Sequence, residues 1–211
     1  MPPQPKDKPP QDSTHSEDSG AAHASNLPLS VDAEGWVNAA VCVPSPNCDE
    51  RADPEDISLL VIHNISLPPG EFENGCVQQF FCNQLDHAAH PFFQEIVGLE
   101  VSSHFFISRQ GALTQFVPVG ARAWHAGAST FNGRERCNDF SIGIELEGTD
   151  EQPYTDQQYA CLQRLTDTLM RHYPAISVER ITGHSDISPG RKTDPGPAFD
   201  WPRYLDGLAS R

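Results

Sequence analysis

The sequence predicts an α/β fold, a single domain with a central mixed β-sheet flanked by helices. Three stretches carry this prediction. ISLLVIHNIS (57–66) is a continuous apolar run rich in β-branched residues, which suits a central strand buried on both faces. In FSIGIELEG (140–148), apolar residues alternate strictly with small or polar ones, which predicts a second strand. YTDQQYACLQRLTDTLMRHYP (154–174) has the apolar spacing of a helix that covers a sheet. Strands and helices that follow each other without an internal repeat indicate one mixed domain.

The two ends of the chain differ in composition, and we place the domain boundary between them. Residues 1–26 contain almost no large apolar side chain, so they cannot bury enough surface to offset the entropy lost on ordering. We therefore expect a disordered N-terminal tail at 1–26 and a folded domain at 27–211. The tail lacks the apolar run of a signal peptide, and no later run is long enough to span a membrane. We expect a cytoplasmic protein and a monomer.

The charge of the chain excludes two classes of partner. The 211 residues carry a formal net charge of −15. An acidic surface repels phosphate backbones, so nucleic acid is not an expected partner. The chain offers no basic patch for an anionic membrane either, and we expect its acidity to serve solubility.

The six cysteines do not form a CxxC pair, which argues against a cysteine zinc cage or a thioredoxin-type motif. A cytoplasmic protein is expected to keep its thiols reduced. The alternative is a small disulfide loop between Cys42 and Cys48 of CVPSPNC, which would need an oxidising compartment.

The remaining elements follow from local signals along the chain. GWVNAAVC (35–42) predicts the start of a short strand before a long loop. NGCVQQFFCNQL (74–85) is weakly helical, and HPFFQEIVG (90–98) predicts a short helix with its proline in the first turn. SHFFISRQGALTQFVP (103–118) predicts a β-hairpin around Gln110-Gly111.

Capping residues define the two C-terminal helices. Thr155 and Gln158 have the spacing of a capping box at the start of the long helix, and Pro174 ends it. The inward residues of this helix are Tyr159, Leu162, Leu165 and Leu169. FDWPRYLDGL (199–208) predicts a last short helix with Asp200 as its N-cap.

Three residues in two distant segments have the side chains of a catalytic zinc site. His63 ends the most apolar strand, and GHSDISPGRKTDPGP (183–197), predicted to be a loop, holds His184 and Asp194. Catalytic zinc takes imidazole nitrogen and carboxylate oxygen from three protein ligands and keeps one position open. The alternatives from spacing alone are a hydrogen-bonded core histidine, a loop histidine and a solvated aspartate.

The alternation of 140–148 places a carboxylate on a face thinned by small side chains. Phe140, Ile142, Ile144 and Leu146 share one predicted face, and Ser141, Gly143, Glu145 and Glu147 share the other. Glu145 is therefore a candidate to point into a cleft above the sheet. Glu147 lies on the same face and is the alternative candidate, and an edge-strand glutamate in water is the alternative role.

Four motifs in one order carry a family resemblance over residues 30–208. VIHNIS, WHAG, CNDFSIGIELEG and ITGHSDISPGRKTDPGPAFDW together resemble the zinc-dependent N-acetylmuramoyl-L-alanine amidases of the amidase-2 family, and within it the subgroup that acts on cytoplasmic 1,6-anhydro-muropeptides. The resemblance implies a central mixed sheet, one zinc ion, and hydrolysis of the amide between the muramyl lactyl group and the first L-alanine of the stem peptide. It also implies a role in wall recycling that lowers a muropeptide signal controlling β-lactamase expression.

The resemblance also implies roles for individual residues. His63, His184 and Asp194 match the three metal ligands. Glu145 matches the general base, and Lys192 matches a basic residue of the catalytic loop. The expected substrate contacts are Asn64, Trp124, Arg136 and Ser188.

Lys192 has three possible roles. Side chains two apart in an extended segment point the same way, so Lys192 and Asp194 could share one cavity, with the ammonium facing the oxyanion of the tetrahedral intermediate. Lys192 could instead hold a peptide carboxylate of the substrate, or be an exposed loop cation without effect.

Other histidines receive simpler interpretations. His87 and His90 could form a second metal pair but are better interpreted as surface residues, and His104 and His125 as packed, hydrogen-bonded imidazoles. We assign no role to the other three, which are His15, His23 and His172. Two further classes of function stay open on sequence alone: a peptidoglycan-recognition module without catalysis, and a lytic amidase acting on intact wall.

Overall fold

The computed structural model describes residues 28–209, so the tail predicted at 1–26 lies outside the described residues. The strands are β1 (Val41–Cys42), β2 (Cys48–Asp49), β3 (Leu59–Ile65), β4 (Phe105–Ile107), β5 (Leu113–Gln115), β6 (Arg122–Ala123), β7 (Thr130–Phe131), β8 (Arg134–Glu135), β9 (Ser141–Glu147) and β10 (Ile181–Gly183). The helices are α1 (Cys76–Phe81), α2 (Pro91–Glu95), α3 (Asp156–His172), α4 (His184–Ile187) and α5 (Trp201–Ala209).

The main sheet is mixed, as predicted. Its strand order is β1-β5-β4-β9-β3-β10, and every neighbouring pair is parallel except β4 with β5. That antiparallel pair is the predicted hairpin, and Gly111 in its turn has φ 77°, a left-handed conformation that favours glycine. Most of the run predicted at 57–66 forms the interior strand β3, which lies between β9 and the edge strand β10 and is buried over residues 59–63.

Helices α3 and α5 cover one face of the sheet. The inward leucines of α3 pack with Ile62 of β3 and Ile144 of β9 in the largest apolar cluster. The predicted capping box is present, with Gln158 N–H donating to Thr155 Oγ1 and Thr155 N–H donating to Gln158 Oε1, both at 3.1 Å. The Asp200 carboxylate accepts the Arg203 N–H at 3.0 Å, as expected of the N-cap of α5.

Helices α1 and α2 pack on the opposite face. Phe80 and Phe81 of α1 and Phe93 of α2 join Phe106 of β4 in a second apolar cluster. Pro91 is the first residue of α2, as predicted. The α1/α2 layer covers only part of this face. Beside it lie the polar ends of β3 and β9.

Phe140 departs from the predicted alternation. It packs with Leu59 and Val61, whereas Ile142 packs with Leu60 on the other side of the sheet. The backbone of Phe140 has φ −134° and ψ 12° because it ends a short 3₁₀ turn over 137–139. Strand β9 therefore begins one residue later than predicted, and Phe140 lies outside its alternation.

The segment 183–197, predicted to be a loop throughout, contains the one-turn helix α4 and follows a strand, β10, that was not predicted. The Asp186 carboxylate accepts the Gly183 N–H at 3.0 Å, and the His184 carbonyl accepts the Ser188 N–H at 3.0 Å. These bonds close a turn despite the many glycines, prolines and serines. The short strands β2, β6, β7 and β8 were also not predicted.

Two further observations bear on the sequence-based expectations. All six cysteines lie within the described residues and are present as free thiols. Among residues 28–209, no helix combines the length and the apolar character needed to cross a membrane.

Candidate metal centre

The carboxyl ends of two parallel strands bring the candidate ligands together. His63 lies near the carboxyl end of β3, and His184 follows β10 directly. Strands β3 and β10 pair in parallel, so their carboxyl ends meet at one edge of the sheet. His63 and His184 are 121 residues apart in sequence but become neighbours at this edge. Asp194 follows on the same connection, and the Ser185 N–H donates to its carbonyl at 2.9 Å.

The three ligand atoms form a compact triangle. His63 Nδ1 lies 3.0 Å from His184 Nδ1 and 3.0 Å from Asp194 Oδ2, and His184 Nδ1 lies 3.1 Å from Asp194 Oδ2. Tetrahedral bonds of about 2.0–2.1 Å separate their ligand atoms by about 3.3 Å. The observed separations are slightly shorter and fit a single ion. His63, His184 and Asp194 form the one cluster of this kind found among the described residues, and it could hold a metal.

The protonation states favour metal binding. Burial lowers the pKa of His63 to about 4, and the hydrogen bond to Asp194 opposes this shift only in part. Neutral imidazole is the form that binds metals. Burial alone would raise the pKa of the Asp194 carboxyl, but hydrogen bonds from His184 and His63 outweigh it and hold the pKa well below its usual range. At neutral pH the site therefore presents a neutral His63 and an ionised Asp194.

Glu145 stands beside His63 on the neighbouring strand. The register of β3 and β9 pairs His63 with Glu145, so the two side chains share a face of the sheet. Glu145 is buried, and its Oε2 has no hydrogen-bond partner among the described residues. Burial and the nearby Asp194 charge raise the pKa of Glu145 well above its ordinary value, while Lys192 opposes them. The edge-strand alternative is wrong, because β9 is central.

Glu147 lies on the same face but has a different environment. Its Oε1 accepts the Glu73 N–H at 2.6 Å, and its Oε2 accepts the Arg109 N–H at 2.9 Å. Both oxygens are thus used to join two loops to the end of β9. Of the two glutamates, Glu145 is the one with a free carboxylate oxygen beside the ligands.

Lys192 lies on the rim of the site. The Ser188 carbonyl accepts the N–H groups of both Arg191 and Lys192 at 3.1 Å. Lys192 therefore ends a turn, directly before the segment to Asp194 that was predicted to be extended. Lys192 is exposed, and its positive charge acts on the pKa of both His63 and Glu145. An exposed ammonium near these groups can approach a substrate that enters the site.

The far sides of both histidine rings are also hydrogen bonded. His184 Nε2 lies 3.1 Å from the Ala126 carbonyl, and His63 Nε2 lies 2.9 Å from His125 Nδ1. His125 Nε2 in turn lies 3.1 Å from Ser141 Oγ. The sequence interpretation of His125 as a packed imidazole missed its contact with a ligand. Gly143, the smallest residue on the polar face of β9, was the available signal, since its missing side chain makes room for this ring.

Trp124 and Asn64, two predicted substrate contacts, lie near the ligands. Trp124 lines a cleft of about 490 Å³ together with His184 and Lys192. Its indole N–H is buried without a partner among the described residues. The Asn64 amide donates to the Asp150 carboxylate at 2.8 Å. Beside the ligands, the cleft therefore has a buried, unpartnered donor in the Trp124 N–H and an exposed one in the Lys192 ammonium.

Arg136 and Ser188 line a separate cavity of about 640 Å³. Arg136 is exposed and pairs with Asp139 at 3.0 Å. The Ser188 hydroxyl is used internally: it donates to the Ala128 carbonyl at 2.8 Å and accepts from Arg191 at 2.7 Å. The substrate contact of Ser188 thus stays a prediction. In this structure its hydroxyl links the loop at Ala128 to Arg191.

Three further histidines make local bonds. His87 Nδ1 lies 2.8 Å from the Phe93 carbonyl, and His90 Nδ1 accepts the Phe92 N–H at the start of α2. Both belong to the α2 region, away from the ligand cluster. His104 is buried and its Nδ1 accepts the Gly143 N–H at 3.0 Å, which agrees with the predicted packed imidazole. Burial, followed by the charge of Arg51, lowers the pKa of His104 to about 3.

Fold and site together define a class: a mixed α/β domain whose sheet edge carries a candidate metal site with a buried carboxylate beside it. Residues 53–197 match the family described as N-acetylmuramoyl-L-alanine amidase, and the chain belongs to that family. It is an enzyme, an N-acetylmuramoyl-L-alanine amidase, and the family resemblance found in the sequence motifs is confirmed.

Individual relatives make the similarity more specific. The chain is 57% identical over 166 residues to the 1,6-anhydro-N-acetylmuramyl-L-alanine amidase AmpD of Haemophilus influenzae, covering 79% of this chain and 90% of that protein. A crystal structure of a selenomethionine derivative of AmpD superposes with a TM-score of 0.82 at 54% identity, covering 84% of this chain and 98% of that one. Escherichia coli AmiD, in complex with the substrate anhydro-N-acetylmuramic acid-L-Ala-D-gamma-Glu-L-Lys, gives a TM-score of 0.55 at 28% identity, covering 85% and 65%.

Proposed function

We propose that this chain uses one zinc ion to hydrolyse the amide between 1,6-anhydro-N-acetylmuramic acid and the L-alanine of the stem peptide, as a step of cell-wall recycling. The observation that carries the proposal is the convergence of His63 Nδ1, His184 Nδ1 and Asp194 Oδ2 within 3.0–3.1 Å. The name of the AmpD relative and the substrate in the AmiD complex support the anhydromuramyl group.

The donor set supports zinc as the metal. Two imidazole nitrogens and one carboxylate oxygen are ligands that zinc accepts, and three protein ligands leave a position open for chemistry. Hard cations such as magnesium and calcium prefer sites built from oxygen. Zinc, when bound, makes a water more acidic and polarises the carbonyl of a substrate amide.

Glu145 is the proposed general base. Burial and the nearby Asp194 charge raise the pKa of Glu145 well above its ordinary value, the direction in which a carboxylate becomes able both to take and to return a proton. Its unpartnered Oε2 takes the proton of the attacking water and then passes it to the nitrogen of the leaving L-alanine. The use of both Glu147 oxygens by backbone N–H groups supports this choice between the two glutamates.

Lys192 is the proposed donor to the carbonyl oxygen as negative charge develops there. Its exposed ammonium lies on the rim and is free to follow the substrate. Trp124 supplies the one unused indole N–H of the cleft, and we include Asn64, Arg136 and Ser188 as further contacts with the sugar or the peptide. Residues 27–211 form the catalytic domain in this proposal.

The proposal extends to the setting in which the enzyme acts. We propose that the enzyme is a monomer and acts in the cytoplasm. The family resemblance implies that it consumes soluble muropeptides and thereby lowers a signal for β-lactamase expression. Cell fractionation and sedimentation of the purified protein would test the location and the monomer.

One reaction tests the function. The purified full chain is incubated with a defined anhydro-muropeptide, with and without a zinc chelator, and the products are identified by mass. We expect the anhydro-muramyl sugar and a peptide with a free L-alanine amine, whose masses together exceed that of the substrate by one water. The chelator should stop the reaction, and added zinc should restore it.

Matched variants and substrates sharpen this test. His184→Ala should lose zinc and activity, whereas His172→Ala, which changes an exposed histidine on α3, should keep both. Intact zinc in His184→Ala would contradict the ligand assignment. Faster release of peptide from intact cell wall than from the soluble anhydro-muropeptide would contradict the recycling role and favour a lytic amidase.

A further inference from the structure

His125 contacts the candidate ligand His63 on the side of its ring that faces away from the other ligands. His63 Nε2 and His125 Nδ1 are 2.9 Å apart, and the two rings meet edge to face with an interplanar angle of 88°. The second nitrogen of His125 is 3.1 Å from Ser141 Oγ. The polar face of the sheet thus holds a chain of hydrogen bonds from His63 through His125 to Ser141.

Metal binding fixes the direction of every bond in this chain. If His63 binds the ion through Nδ1 as a neutral imidazole, its single ring proton lies on Nε2. That N–H needs an acceptor, so His125 Nδ1 must carry no proton. The proton of His125 then lies on Nε2 and donates to Ser141 Oγ. Each ring in the chain thus has one tautomer that is compatible with the metal.

The backbone holds the ring of His125 in this place. The Asn138 side-chain oxygen accepts the N–H groups of His125 at 3.1 Å and of Ala126 at 2.7 Å. A Cβ added at Gly143 would come within 2.6 Å of the His125 ring, so the ring fills the space that this glycine leaves. Position and orientation of His125 are therefore built into the fold.

We infer that His125 is a positioning residue: its Nδ1 accepts the proton of His63 Nε2 and so presents His63 Nδ1 to the metal. The inference rests on the proposed zinc site and adds a residue to it. Outer hydrogen bonds of this kind orient a ligand and make it more basic, and their loss typically weakens metal binding about 10- to 100-fold.

Zinc affinity is the readout that separates this role from catalysis. We compare the full-length wild type with His125→Leu, which removes the acceptor, and with His125→Asn, whose amide oxygen can replace Nδ1. Competition with a chelating indicator should show about 10- to 100-fold weaker zinc binding for His125→Leu and near-normal binding for His125→Asn. His172→Leu is the matched control and should bind zinc like the wild type. Circular dichroism checks that each variant is folded.

Nitrogen NMR of the zinc-loaded wild type tests the same point without substitution. The expected pattern is a protonated Nε2 and an unprotonated Nδ1 for His125. The opposite tautomer would overturn the inference, and so would equal zinc affinity of wild type and His125→Leu, or equal losses in His125→Leu and His125→Asn. If His125→Leu does not fold, the His125 tautomer measured by NMR in the zinc-loaded wild type decides whether the inference holds. Absence of zinc binding by the wild type would instead refute the proposed function, and the inference with it.

Discussion

Neighbouring residues of strand β9 serve two different faces of the same sheet. Ile144 packs into the apolar cluster under α3, and Glu145 points to the ligands on the other side. The apolar face requires side chains of matching volume and shape. The polar face requires that donors find acceptors and that each ring adopt one tautomer. The two faces of one strand are therefore constrained differently. The apolar face constrains the volume and shape of its side chains, and the polar face constrains the position of individual donor and acceptor atoms.

Glu145→Gln should change the polar face with the largest effect on turnover. An amide cannot take the proton of the attacking water, and general-base catalysis typically contributes about 10²- to 10⁴-fold in rate. We expect a loss of kcat in that range with unchanged zinc content and circular dichroism. Glu147→Gln is the control. It should lower Tm, because it disturbs the bonds to Glu73 and Arg109, and it should change kcat far less than Glu145→Gln does. An inactive Glu147→Gln beside an active Glu145→Gln would reverse the assignment.

Lys192→Ala tests whether the exposed rim belongs to the chemistry of the polar face. Lys192 is proposed to stabilise the negative charge on the substrate carbonyl oxygen, which exists only after water attack. In Lys192→Ala, kcat should therefore fall about 10²- to 10³-fold while KM changes little. Steady-state kinetics of Lys192→Ala and Lys192→Met on one muropeptide measure this. A raised KM with normal kcat would instead assign Lys192 to the peptide carboxylate of the substrate, and no effect would make it a bystander.

Ile144→Ala breaks the other face. Truncation of a fully buried isoleucine costs about 2–5 kcal/mol of folding free energy, through lost transfer energy and the cavity left behind. Denaturant unfolding should show this loss, whereas kcat of the folded protein should fall less than threefold. Ile144→Val, with an expected cost of about 0.5–1.5 kcal/mol, gives the graded control. A loss of kcat as large as that of Glu145→Gln would show that the two faces are not independent.

Deletion of residues 1–25 should have the smallest effect. Apart from Met1, the segment has no large apolar side chain, and it carries none of the matched motifs. We expect Tm within about two degrees of the full chain, because removal of a segment that adds no packing leaves the unfolding free energy nearly unchanged. Activity should also be unchanged. A large fall in either quantity would show that the segment contributes to the domain.

Local patterns in the sequence are sufficient to predict most of the scaffold. The apolar run of β3, the alternation of β9, the Gln110-Gly111 turn and the capping box of α3 are all signals within a few residues of each other, and the structure has each of them. Sequence motifs also predicted the three candidate ligands as a set, since their order along the chain carries the family resemblance.

Tertiary structure decided what depends on distances between remote segments. Only the parallel register of β3, β9 and β10 brings His63, Glu145 and His184 to one edge, and only the fold gives Glu147 its two backbone partners. The sequence missed helix α4 because a single turn held by one capping carboxylate has no periodicity to detect. It missed the contact of His125 with His63 because hydrogen bonds between side chains 62 residues apart leave no spacing rule in the sequence.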